Sequence, residues 1–242
     1  DGSIHMTHRE CRRQAAVHDS RYSVEMNSPK LEYSEMKKLQ EVIRTLRHAG
    51  AVVNDSCGMH VHVDASKHTP RSLRNALSIM YSKEDLIFKA IGAKPERISQ
   101  YCQYSRENVV RTVRALSPRL TMEQLKQAWY GVRDGSNDHY NWTRYYALNL
   151  HSVFYHGTLE WRCFESTLHA GVVRANITLA LAISAQAINQ TRTLAKKTPV
   201  TENPAFTFRT FLLRLGLVGE EYKNVRMHLL KDLPGDPAWR YD

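Results

Sequence analysis

Apolar and polar positions alternate with two different periods along this chain, and the changes between them predict its elements. Over 21–27, Tyr22, Val24 and Met26 alternate with Ser23, Glu25 and Asn27, which predicts a short strand stopped by Pro29. A helix is expected from Ser34, where Met36, Leu39, Val42, Ile43 and Leu46 form a stripe and Gly50 follows the end. A brief strand at 51–53, a turn at Asn54-Asp55-Ser56 and a strand over Gly58–Asp64 come next. Thr69-Pro70 then opens a long helix running towards Gly92, because proline suits the first helical position. Shorter helices are expected over 106–116 and 121–132, with a surface loop at 134–138.

The second half carries the clearest β signal. Residues 145–153 and 158–165 read as a hairpin joined through Phe154-Tyr155-His156-Gly157. A long helix over 171–195 and a basic helical tail, 206–215 and 220–230, complete the pattern. Hairpins interspersed with helices predict an α+β fold. The expected form is a mainly antiparallel, curved sheet with a polar concave face and helices packed on the other side. The expected domains are a core over 1–198 and a helical extension over 199–242.

Composition supports one folded unit and narrows the partners. Of 242 residues, 42% are hydrophobic and 24% charged, enough apolar material for an ordinary core. Net charge is +10 with a pI near 9.5, which suits an anionic ligand. The basic residues are scattered, without the clustering that nucleic-acid binding leaves, so nucleic acid is not the expected partner. Cys11, Cys57, Cys102 and Cys163 form no CxxC pair and read as reduced thiols, consistent with a cytoplasmic protein. The longest apolar stretch, 172–188, contains Arg174, Asn176 and Gln186 and falls short of a membrane span by this reading.

The chemistry gathers on the strands. In Cys57-Gly58-Met59-His60-Val61-His62-Val63-Asp64, the polar His60, His62 and Asp64 share one face and Met59, Val61 and Val63 the other. Imidazole and carboxylate are good donors to a divalent cation. A solvated sheet surface explains the same histidines more plainly. Thr158-Leu159-Glu160-Trp161-Arg162-Cys163 repeats the pattern, placing Glu160 and Arg162 together. Glu160 suits a cation, and Arg162 a bidentate grip on phosphate or carboxylate, although an ion pair on a wet face accounts for both. Tyr145, Asn149 and His151 add to this face, with Arg144 just before them, and Glu25 joins from the first strand. Together these groups suit a metal–polyphosphate site.

Three stretches, Cys57 to Asp64, Arg144-Tyr145-Tyr146-Ala147-Leu148-Asn149-Leu150-His151-Ser152 and Gly157 to Phe164, resemble the signature segments of the amidoligase family. Asp1-Gly2-Ser3-Ile4, Tyr22 to Pro29 and Ser82-Lys83-Glu84-Asp85-Leu86 fit it too, in the same order as far as about Ile188. The family is similar to glutamine synthetase and other carboxylate–amine ligases. The resemblance implies a glutamine synthetase-like catalytic core and formation of an amide or peptide bond through an acyl phosphate. ATP and magnesium, or manganese, would be required. It implies His60 and Glu160 as metal ligands, Glu25 as ligand of a second cation, and His62 as a nucleotide-phosphate contact. Arg162 would face the transferred phosphate, with Arg144 and Asn149 contacting substrate or phosphate. His151 and Asp64 are the candidates for general base, Asp64 also lying on the nucleotide side. The partners would be a carboxylate and an amine, each an amino acid or peptide, with no membrane. Members of the family begin with an acidic Glu-x-Glu strand, and this chain starts after that point. Two other readings stay open: a metal-dependent hydrolase using His60, His62 and Asp64, and an inactive nucleotide-binding module. Cys57 as a nucleophile is weaker than either.

Overall fold

The computed structural model describes residues 24–199 and 201–240. Its sheet has three antiparallel strands, β1 (Gly58–Asp64), β2 (Leu148–Asn149) and β3 (Thr158–Glu165), in the spatial order β1-β3-β2. Nine α-helices occupy the described residues: α1 (Met36–His48), α2 (Pro70–Ala90), α3 (Pro95–Gln100), α4 (Glu107–Ala115), α5 (Met122–Tyr130), α6 (His151–His156), α7 (Ala170–Asn189), α8 (Pro204–Arg214) and α9 (Lys223–Leu230). The fold is α+β, as the interspersed pattern implies.

Local chemistry explains where the helices begin. Thr69 accepts from the Ser72 backbone while the Ser72 hydroxyl accepts from the Thr69 backbone, and Pro70 occupies the first turn of α2. Thr121 and Gln124 cap α5 in the same reciprocal way. α7 is long and apolar enough to cross a membrane by length and composition alone, contrary to the sequence expectation for 172–188. More than half of its most apolar window is nevertheless buried inside the fold.

The core lies on one side of the sheet. Val61, Leu148, Leu159, Trp161, Cys163 and Phe164 pack with α2 and α7 through residues such as Leu73, Leu77, Leu179 and Ile183. The tail helices enter the same cluster through Phe208, Leu212, Val225 and Leu229. Burying one such side chain fully contributes about 1.5–3 kcal/mol, and that fixes which face of the sheet turns inward.

The register of β1 on β3 contains a bulge. Val61 pairs with Trp161 but Met59 pairs with Phe164, so Arg162 and Cys163 together stand opposite His60. The bulge explains how Cys163 and the adjacent Phe164 are both fully buried, where strict alternation would expose one of them.

Several expected elements are absent or shorter. Residues 24–27 have no regular structure and are exposed, and 21–23 lie outside the described residues, so Glu25 does not sit on a described strand. Residues 51–53 form no strand; they have no ladder partner among the described residues. The hairpin over 145–153 shrinks to Leu148–Asn149, because α6 takes residues 151–156 and ends at Gly157 with φ 74°, a left-handed conformation suited to glycine. Tyr145 closes a 3₁₀ turn and His151 opens a helix, so neither is a strand residue. The helix expected over 171–195 stops at Asn189.

Candidate functional site

Antiparallel pairing places opposite residues on one face, and here it aligns Asn149 with Glu160, His62 with Glu160, and Asp64 with Thr158. The Glu160 carboxylate is the hub. Its Oε1 accepts from Arg162 at 2.8 Å, and its Oε2 accepts from the Asn149 amide at 2.5 Å. His60 Nδ1 and His62 Nε2 lie 3.4 and 3.6 Å from the same Oε1. His62 bonds through Nδ1 to the Thr158 hydroxyl at 2.8 Å, and Thr158 meets Ser152 at 2.9 Å.

This face is not a wet surface. The side chains of Glu160 and Arg162 are 6% and 8% exposed, whereas the rings of His60 and His62 retain 32% and 45%. An enclosed anion–cation pair is thus rimmed by two accessible imidazoles. Groups this buried are costly without partners, and each has them. Arg162 also donates Nε to the Tyr101 carbonyl at 3.3 Å and lies over the Tyr145 ring.

The electrostatics follow from this packing. Burial raises the Glu160 pKa, but Arg162, His62, His60 and the Asn149 bond outweigh it and leave the carboxyl below its ordinary value. Burial and then the Arg162 charge push His60 down to about 4, so its imidazole is neutral at pH 7. Burial and the Arg144 charge lower His151, which bonds Tyr130 through Nδ1 while its buried Nε2 has no partner among the described residues.

The remaining sequence candidates are placed as follows. Asn149 is buried beside Glu160 and also accepts from the Ser152 backbone. Arg144 donates to the His139 carbonyl and lies over Tyr140 and Tyr145, so the Tyr145 ring has both Arg144 and Arg162 within 5.7 Å of its centre. Asp64 is exposed at the strand end, and its oxygens accept from the Ser66 backbone and hydroxyl, which lowers its pKa. Glu25 has no hydrogen bond or ion pair among the described residues and is not brought to this cluster.

Structure adds residues that the pattern did not single out. Arg97, from α3, donates to the carbonyls of Cys57 and Arg162 and ties β1 to β3 at the bulge. A Cβ at Gly58 would overlap its guanidinium, so glycine makes that approach possible. Ser152 and Tyr130 orient Thr158 and His151. His156 lies near enough to His62 that burial and the His62 charge both lower its pKa. Its place just before Gly157 and β3 was the available signal; Arg97 had none.

Two donor atoms ligating a shared cation at about 2.1 Å sit about 3–3.5 Å apart, so the His60–Glu160 pair, at 3.4 Å, fits in donor type and distance. Among the described residues no three His, Cys, Asp or Glu side chains are arranged to hold a metal as they stand. Arg162 and Asn149 also bond the Glu160 oxygens. A cation here would share that carboxylate with arginine.

Residues 1–184 match the family described as "putative amidoligase enzyme". No curated protein and no solved structure matches the chain. The chain therefore belongs to the amidoligase family, enzymes named for joining a carboxylate and an amine in an amide bond.

Proposed function

We propose that this chain is an ATP- and magnesium-dependent carboxylate–amine ligase. In this reading ATP phosphorylates the acid to an acyl phosphate, and the amine displaces phosphate to leave amide, ADP and phosphate. The observation that carries it is the buried Glu160–Arg162 pair with His60 and His62 at its rim. Family membership supports the bond formed, and a glutamine synthetase-like core is part of the same proposal.

His60 and Glu160 are the residues that would hold the divalent cation, which supplies neutralisation of phosphate oxygens when bound. Arg162 spends Nε on Tyr101 and one N–H on Glu160, so the rest of its five donors can meet a phosphoryl or carboxylate group. Glu160 holds that guanidinium in one orientation, which means little reorganisation as charge develops. His62, fixed by Thr158, presents an accessible ring towards a nucleotide phosphate. Tyr145 brings Arg144 to the same edge.

A general base must take the amine proton. Asp64 is a poor candidate because its oxygens are engaged by Ser66 and its basicity is reduced. His151 is neutral at pH 7, but its unpartnered Nε2 is enclosed, so its use as the base requires substrate binding to uncover it.

The test is release of ADP and phosphate with panels of amino acids and short peptides, with magnesium or manganese. Release that needs both an acid and an amine supports the ligase. Turnover without nucleotide would instead indicate the hydrolase, and nucleotide binding without turnover an inactive module.

A further inference from the structure

A second basic site lies on the helix side of the sheet. Met59, whose side chain points away from His60, packs against Ile43 of α1 and Ala170 and Val173 of α7. Where α1, the start of α7 and α9 meet there is a cavity of about 330 Å³. Arg44 and Arg47 from α1, Arg174 from α7, and His169 and His228 line it, and no acidic residue does.

Three features suit this arrangement to an anion. Arg44 and Arg47 are three apart on one helix face, a like-charge spacing that costs stability unless countered. Neither they nor Arg174 has a carboxylate partner among the described residues, and the Arg174 Nε is buried without an acceptor. The first turn of α7 opens on the cavity, and helix geometry leaves the N–H groups of Ala170 and Gly171 without intrahelical acceptors. A Cβ at Gly171 would overlap the His228 ring, so glycine keeps His228 close to that exposed backbone. Gln40 fixes the helix start by donating to the Ala170 carbonyl at 3.0 Å.

We propose that this cavity binds a small phosphoryl-bearing anion, at a site separate from the Glu160 face and independent of the ligase reading. Three guanidiniums, two imidazoles and two backbone N–H groups offer more donors than the two oxygens of a carboxylate accept. The three terminal oxygens of a phosphoryl group suit them. The volume is that of a small-ligand site.

The test is calorimetric titration of the full chain with pyrophosphate at constant ionic strength. Arg44→Gln/Arg47→Gln removes two exposed charges and leaves the core intact. His62→Gln alters only the rim of the other site. Saturable binding that weakens about tenfold or more in the arginine variant and persists in His62→Gln supports the site. A two-step wild-type isotherm from which the arginine variant loses one step supports it equally. Absence of saturable binding, or an isotherm unchanged in the arginine variant, overturns it. Tighter binding of citrate than of pyrophosphate overturns the phosphoryl assignment.

Discussion

The Glu160 carboxylate and the Arg162 guanidinium, two residues apart on β3, meet at 2.8 Å with both side chains almost wholly enclosed. Residues at i and i+2 of a strand share a face, so the pairing follows from the pleat. Its isolation from water follows from Tyr101, Tyr145 and Asn149 around it. Such a pair is weak evidence of stability, because desolvating two charges costs about what their attraction returns. Its value lies in holding a cation and an anion at fixed positions.

Glu160→Gln should cost both stability and activity. The Gln carbonyl still accepts from Arg162, but the buried guanidinium loses its counter-charge and the new amide meets the Asn149 N–H donor, a loss of about 3–5 kcal/mol. The charge that would hold a cation is gone, and nucleotide turnover should fall about 10²-fold or more. Phosphate release read beside circular dichroism checks this; near wild-type turnover in a folded variant would remove Glu160 from the chemistry.

Arg162→Lys should also fail. One ammonium cannot reach both the Tyr101 carbonyl and Glu160 while presenting a planar fork outward. A fall in kcat/KM of about 10²-fold, with a modest drop in Tm, is the expected outcome. Steady-state kinetics at wild-type level would make the residue structural.

Gly58→Ala tests the strap formed by Arg97. The added methyl overlaps the buried guanidinium, and relief requires moving it off the Cys57 and Arg162 carbonyls. Overpacking of this kind costs about 1–3 kcal/mol. Urea unfolding should show an earlier midpoint with an unchanged slope.

His68 supplies a pH dependence away from the sheet. It is buried near the start of α2, and burial lowers its pKa. The unfolded chain then takes up its proton at a higher pH than the folded one, so stability falls as the pH is lowered below about 6.5. His68→Gln should flatten that part of the profile in denaturant titrations from pH 7.5 to 5; an unaltered slope would contradict the assignment.

Thiol chemistry should separate the cysteines. Cys102 and Cys163 are buried, and burial pushes the Cys102 pKa up to about 11 and that of Cys163 higher still. In a Cys11→Ser/Cys57→Ser variant, the two remaining thiols should react with an aromatic disulfide reagent only after unfolding.

The regular parts of this architecture were legible because their signals are periodic and local. The alternation of β1 fixed which residues share a face, and Thr69-Pro70 marked the start of α2. The stretch 151–156 reads as the end of a strand followed by a turn, because the alternation running up to Val153 and the glycine at 157 fit a hairpin equally well. What makes it a helix is the Asn149 side chain accepting from Ser152 and the left-handed Gly157, one a contact and the other a torsion. Arg97 was invisible because its role depends on a tertiary approach to Gly58. The enclosure of Glu160 was likewise beyond reach, since a strand pattern says which residues share a face but not what covers it.

The irregularity opposite His60 makes β3 behave as a message with one spacer letter. Upstream of it, even-numbered positions carry the chemistry; downstream, Phe164 takes an interior seat that simple parity would deny it. Removing Cys163 would therefore take out the spacer and restore even spelling: Arg162 alone would face His60, while Phe164 would keep its place opposite Met59 on the interior side. A deletion two or three residues upstream would instead swap the faces of everything before it.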